Sequence, residues 1–378
     1  MDRRHFLASI PASLFVTGFP NLGFTRPKRD GRLIAIILEG GLDGLAAVPP
    51  LGDKNLHRLR KNLLLNDALK INPFFSLHPS FKNFGYLLSQ HEASVVHATS
   101  FPYTKRSHFE GQNIVESGGV TPFAYTTGWL GRAMDLSGVS GRSLSLETPL
   151  LVRGNQKSES YFPAKISGSK TADMALIASL RSLYDGDALD TLELLEEQIK
   201  INRNKPRVRD AIGLAGYAGK QMQNSLGPKV AVIRVSEFDT HANQGQEDGM
   251  LSKQVKLVDD VISTLKTSLG STWSDSIIVT LTEFGRTVGQ NGSKGTDHGY
   301  GSTSLLAGGL IKSAGVVTDW PGLKKRSLFE ERDLMATIDM RSVCSACIEA
   351  AFGLEHDLIA DQVFFDRAIP RVYNEIFA

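Results

Sequence analysis

A three-layer α/β/α sandwich around a mostly parallel sheet is the fold this 378-residue sequence predicts. Two observations predict it. Short, almost wholly apolar runs recur at 32–39, 93–99, 230–236, 276–282 and 303–307, each the length of a strand buried on both faces. Between them lie amphipathic stretches, among them 81–90 and 253–267, with apolar residues at helical spacing. Strands alternating with helices of this kind place helices on both faces of a parallel sheet. Composition agrees, because 41% hydrophobic and 22% charged residues exclude disordered, collagenous and coiled-coil chains.

Taken in order, the chain opens on Arg3-Arg4-His5-Phe6-Leu7 and a modest apolar run to Phe19. A charged pair followed by about a dozen apolar residues has the order of an export signal and is too short to span a bilayer, which needs roughly 20. The adjacent arginines before Phe-Leu resemble a twin-arginine signal, so residues 1–29 are read as an address handled by the twin-arginine export machinery, with a periplasmic or secreted product. Residues 30–378 form one α/β domain without a transmembrane span in the mature protein. Within it, residues 122–223 break the strand-helix alternation and read as an inserted cap with helices over 172–184 and 192–201. Cys344 and Cys347 fall three apart in a predicted helix, 339–352, and lack the second pair that a structural zinc site needs, so they read as packing residues. With 42 Lys and Arg against 40 Asp and Glu, no broad basic face exists for nucleic acid.

Ligands of open parallel sheets bind beyond the carboxyl ends of the strands. The residues there are polar: Asp43 after the first run, Asp239 and His241 after the one ending near Ser236, Glu283 and Arg286 after the one ending near Thr282. Asp297 and His298 precede the last run. Carboxylates and imidazoles gathered in one place suit zinc or manganese, with calcium as a further option. Each has a plainer reading too. Asp43 between glycines fits a turn, Asp239-x-His241 an Asx-type loop, Glu283 and Arg286 a mutual ion pair, and Asp297-His298 an ordered loop. The sequence Arg106-Ser107-His108-Phe109-Glu110 opens a helix. Ser107 and Glu110 have capping-box spacing, and the same hydroxyl at a helix start also fits a nucleophile beside a metal. His108 is a ligand, a general acid or a packed side chain.

Arg3-Arg4-x-Phe6-Leu7, Gly40-Gly41-x-Asp43-Gly44-Leu45, Leu77-His78-Pro79, Arg106-Ser107-His108-Phe109, Gly128-Trp129-Leu130-Gly131-Arg132, Phe238-Asp239-Thr240-His241 with Gln244, Thr282-Glu283-Phe284-Gly285-Arg286-Thr287, Gly295-Thr296-Asp297-His298-Gly299 and Asp319-Trp320-Pro321-Gly322-Leu323 follow one another along the chain. From end to end this series resembles the exported bacterial DUF1501 proteins, a family with no agreed activity. That family is similar to a branch of the alkaline phosphatase and sulfatase superfamily, which implies metal-dependent hydrolysis of phosphate or sulfate esters. By that resemblance Asp43 takes the place of a first-strand metal aspartate and Ser107 that of the nucleophile. Asp239, His241 and His298 take the places of ligands to one ion. Two departures stand out. Glu283-Phe284 replaces an Asp-His pair, which removes a nitrogen ligand of a second metal, and no Cys-x-Pro-x-Arg setting for a formylglycine is present.

The resulting expectation is an exported metal-dependent hydrolase acting on a small anionic ester. One ion would sit on Asp43, Asp239, His241 and His298, a weaker one near Glu283 and Asp297, and Arg106 and Arg286 would steady anionic oxygens. The alternative expectation is a non-catalytic exported protein that binds a metal or anion in a degenerate site.

Overall fold

Every residue of Arg32–Leu38 (β1) is buried, as an almost continuous apolar run requires of a central strand. Its side chains alternate. Leu33, Ala35 and Ile37 enter the hydrophobic cluster on one face of the sheet, and Ile34, Ile36 and Leu38 the cluster on the other. The structure is a computed structural model and describes residues 29–143, 148–155, 157–160 and 210–377. Within them the further strands are Leu69–Lys70 (β2), Ser76–Leu77 (β3), Ala93–Ser100 (β4), Gly141–Ser143 (β5), Ser158–Ser160 (β6), Val230–Val235 (β7), Ser276–Leu281 (β8), Ser302–Ala307 (β9), Gly315–Val317 (β10) and Ile338–Asp339 (β11). β2 and β3 pair with each other. The others form one sheet in the order β10-β4-β9-β8-β1-β7-β5-β6, with β11 on β4. All pairings in it are parallel except those of β9, which runs antiparallel to β4 and β8.

Helices Trp129–Ser137 and Met340–Phe352 cover one face, and Lys82–Ser89, Ala211–Gln223 and Met250–Leu269 the other, giving the predicted three layers. Met250–Leu269 shows why: Leu251, Val255, Val258, Ile262, Leu265 and Leu269 recur at spacings of three and four and all are buried. Met340–Phe352 is bounded by the Asp339 side chain, which accepts from the Arg341 N–H, and by Gly353 at φ 69°. Cys344 and Cys347 lie inside it as buried free thiols, and burial pushes both pKa values up.

Of the stretch read as a cap, the described ends belong to the sandwich, and residues 161–209 lie outside the described residues. Trp129–Ser137 and Ala211–Gln223 are layer helices of the sandwich itself, and β5 and β6 are the last two strands at one end of its sheet. Strands of three residues carry too little periodicity to be recognised between turns. The helices expected over 172–184 and 192–201, and residues 1–28 of the export signal, lie outside the described residues. Among the described residues no helix is long and apolar enough to cross a membrane.

The direction of β9 matters for the site. In a parallel strand the preceding loop lies at the far edge of the sheet, but reversal of β9 brings the loop before it to the carboxyl ends of β8, β1 and β7. Residues 295–299 therefore reach the same edge as the segments that follow those strands.

His97 on β4 lies wholly inside the protein. Its Nε2 donates to the Val48 carbonyl at 2.9 Å and its Nδ1 accepts from the Ala98 N–H at 2.7 Å, so the ring is neutral. Burial pushes its pKa down to about 4. The unfolded chain, titrating near 6.5, binds the proton first, so stability present above that pH is lost as pH falls from 6.5 toward 4. Urea unfolding at about pH 7.5 and about pH 5 should differ by about 2 kcal/mol from this residue, and His97→Gln, whose amide can replace the Nε2 donor but does not titrate, should remove that share. An unchanged pH dependence in the variant would show that His97 does not contribute.

Candidate metal centre

Asp239 and His241 follow β7, Glu283 follows β8, and Gly40 follows β1, three adjacent parallel strands whose carboxyl ends open together. β4 points the same way, so the turn after it delivers the helix His108–Ser117 to that edge. Gly40 sits at φ 116°, and a Cβ there would lie 2.4 Å from the Asp239 backbone nitrogen. Glycine is what lets the two strand ends pass this closely.

Three imidazoles then meet. His298 Nδ1 lies 2.9 Å from the Arg106 carbonyl oxygen, His108 Nδ1 2.8 Å from Glu283 Oε1, and His241 Nδ1 3.1 Å from Asp297 Oδ1. A carbonyl or an ionised carboxylate only accepts, so each Nδ1 carries a hydrogen and each neutral ring presents a bare Nε2. His298 Nε2 lies 2.9 Å from the Nε2 of both His108 and His241. Asp239 completes the group: Oδ1 is 3.1 Å from His241 Nε2 and 3.2 Å from His298 Nε2, and Oδ2 is 3.4 Å from His108 Nε2. Nitrogen lone pairs this close repel one another unless a cation, a proton or a metal ion, lies between them. The facing atoms of His108, Asp239 and His298 all lie within 4.8 Å of one another, so one ion can touch all three.

Charge is arranged to match. The hydrogen bond His108 donates to Glu283 raises its pKa against the opposing effect of burial. Burial lowers that of His298. Burial works against an ionised Asp239, but the Arg286 guanidinium, through its hydrogen bond and charge, holds the carboxyl below its ordinary value. Asp297 is lowered chiefly by the Asn291 amide. Phe284, itself buried, packs its ring 4.9 Å from His108 and 4.8 Å from His298 and forms the wall behind two rings.

The predicted site residues separate into those that face this centre and those that do not. Asp239, His241 and His298 face it, and His108 joins them. Glu283 and Asp297 stand one step back as the carboxylates behind His108 and His241, the arrangement that fixes tautomer and ring direction in metal sites. Glu283 Oε1 also accepts from the Gly40 N–H at 2.8 Å. Asp43 is corrected. It is 1% exposed, both its oxygens accept from Arg60 Nη1 at 2.8 and 2.7 Å, and Oδ2 also accepts from the Gln244 amide at 2.6 Å. A guanidinium thus occupies the place expected for a metal.

The two arginines are corrected as well. Arg286 is buried and donates to Asp239 at 2.7 Å and to the Thr296 carbonyl, so its guanidinium is turned to the protein's own acceptors. Arg106 donates to Asp333 and Glu330, and it serves the centre through its carbonyl instead. Ser107 is the N-cap of His108–Ser117, but its side chain makes no capping bond, while Glu110 accepts from the Tyr103 hydroxyl at 2.8 Å. The expected capping box is not formed. Arg60, Asp333 and Tyr103 carried no signal in the sequence. Gln244 and Thr296 did, through their places beside Asp239-Thr240-His241 and within Gly295-Thr296-Asp297-His298-Gly299.

Residues 91–363 match the family DUF1501, described as a protein of unknown function. The chain belongs to the DUF1501 family. No curated protein matches it. Solved structures similar to this DUF1501 chain include Ps i-CgsB, at TM-score 0.45 and 10% identity over 92% of this chain and 77% of that one. The lipoteichoic acid synthase LtaP from Listeria monocytogenes gives 0.41 and 13%, over 94% and 81%. The soluble domain of lipooligosaccharide phosphoethanolamine transferase A from Neisseria meningitidis gives 0.37 and 13%, over 92% and 96%.

Proposed function

We propose that this DUF1501 protein is an exported, metal-dependent hydrolase of phosphate or sulfate esters. The observation that carries the reading is the convergence of three Nε2 lone pairs and the Asp239 carboxylate, each Nδ1 being tied back to an acceptor. His108, Asp239 and His298 would hold the ion, with His241 as a further donor. Imidazoles with one carboxylate suit zinc best and manganese next, and fit calcium poorly, since calcium takes oxygen donors. A divalent ion bound there supplies Lewis acidity and charge neutralisation at an ester oxygen. Export rests on the Arg3-Arg4-Phe6-Leu7 order, and the superfamily resemblance of the motifs supplies the ester class.

Ser107 is assigned the attacking hydroxyl. It precedes His108 at the start of a helix, and no capping bond engages it. Ser107→Ala should therefore leave metal content unchanged and stability within about 0.5 kcal/mol, while turnover of phosphate mono- and diesters or sulfate esters is lost. Retained turnover would pass the attack to water.

One observation favours the second reading, metal binding without turnover. Arg60, Arg106 and Arg286 all donate to carboxylates of the protein, which leaves none of them turned to the ester's oxygens. Assays with zinc, manganese or calcium decide between the two: a binding protein turns over no ester with any ion.

A further inference from the structure

Arg106 holds φ at 62°, the left-handed region that disfavours a residue with a Cβ, and it does so at the residue whose carbonyl oxygen receives His298 Nδ1 at 2.9 Å. Something must hold that backbone in place. Its own guanidinium does: Nε and Nη2 reach Asp333 Oδ2 at 3.0 and 2.6 Å, Nη2 also reaches Glu330, and the group lies 5.8 Å from the centre of the Phe329 ring. Asp333 is fully buried. Its other oxygen accepts from Arg332 Nε at 2.9 Å, and the same arginine donates through Nη2 to the backbone carbonyl of His298. Backbone bonds between Phe329 and Asp333, 2.9 and 3.0 Å in the two directions, close the loop on itself.

We infer that Asp333 is a positioning residue for the metal centre: through Arg106 it holds a strained carbonyl that fixes the tautomer and direction of His298, and through Arg332 it holds the backbone of the same histidine. The inference rests on the metal-centre reading. Its logic is that a carboxylate buried among arginines, two steps from the ligand, grips both the ring's hydrogen-bond acceptor and the ligand's own main chain. A loop needed only for folding has no reason to converge on one histidine from both sides. Outer partners of metal-bound histidines alter affinity by about 10–100-fold when removed, and the same range is expected here.

The strain supplies the test. At φ 62° an alanine keeps the Cβ penalty and loses the clamp, whereas a glycine loses the clamp but sits there without penalty. Zinc affinity of the full chain, measured by competition with a chromophoric chelator, should fall about 10–100-fold in Arg106→Ala and in Asp333→Asn, and by clearly less in Arg106→Gly. In metal-free protein, the histidine nitrogen NMR spectrum should show His298 as the Nδ1–H tautomer in the wild type and as a mixture in Arg106→Ala. This second readout needs no metal. Equal affinities in Arg106→Ala and the wild type, or an unchanged His298 tautomer, would overturn the inference. A wild type that takes up no zinc would instead overturn the metal-centre reading, and the tautomer comparison would still decide on the clamp.

Discussion

Replacing Arg60 by methionine is expected to destabilise the protein by about 3–5 kcal/mol, because it leaves the Asp43 carboxylate charged and buried with the Gln244 amide as its remaining side-chain donor. Arg60 also donates to the carbonyls of Val288 at 2.8 Å and Thr287 at 2.7 Å, so two further buried acceptors lose a donor in the same variant. The double variant Asp43→Leu/Arg60→Met should recover part of the loss by removing the stranded charge, though not the part owed to the two carbonyls. Denaturant midpoints of the wild type, both single variants and the double variant check this. If Arg60→Met is as stable as the wild type, Asp43 is not held by the guanidinium and regains its claim as a metal ligand.

The second large effect divides ligands from their supports. His298→Ala or Asp239→Ala removes a facing atom, and zinc affinity should fall by more than the roughly 10–100-fold expected when an outer carboxylate is neutralised in Glu283→Gln or Asp297→Asn. Asp239→Ala also strands the buried Arg286 guanidinium, so this variant alone should lose stability as well as metal. Isothermal titration with zinc beside thermal unfolding separates the two losses. Equal effects of Glu283→Gln and His298→Ala would place Glu283 among the ligands, where its sequence position first put it.

The fold was legible wherever one physical signal sufficed. β1, β4, β7, β8 and β9 are short buried runs rich in apolar residues, and Met250–Leu269 has an uninterrupted helical stripe, so burial marks them in the sequence. β5 and β6 escaped notice because three residues carry no period, and their place in the sheet depends on pairing with β7 and with each other. At the site, residues after strand ends were identifiable from the polar clusters that follow apolar runs. Their roles were not. Whether a carboxylate holds a metal, an imidazole or a guanidinium depends on what faces it across the fold. Asp43 meets Arg60 from a helix end, a contact no local pattern announces. Likewise, Ser107 and Glu110 keep capping-box spacing, but Tyr103 draws Glu110 away.

His108, Asp239, His298 and His241 turn their facing atoms on one place, and the proposed function requires them to hold a metal ion there. The most direct test is elemental analysis of the purified full chain after zinc loading, followed by X-ray absorption at the zinc edge. The expected result is bound zinc whose nearest shell contains imidazole nitrogens from two or more histidines together with oxygen. Folded protein that retains no zinc, or zinc with an all-oxygen shell, would contradict it.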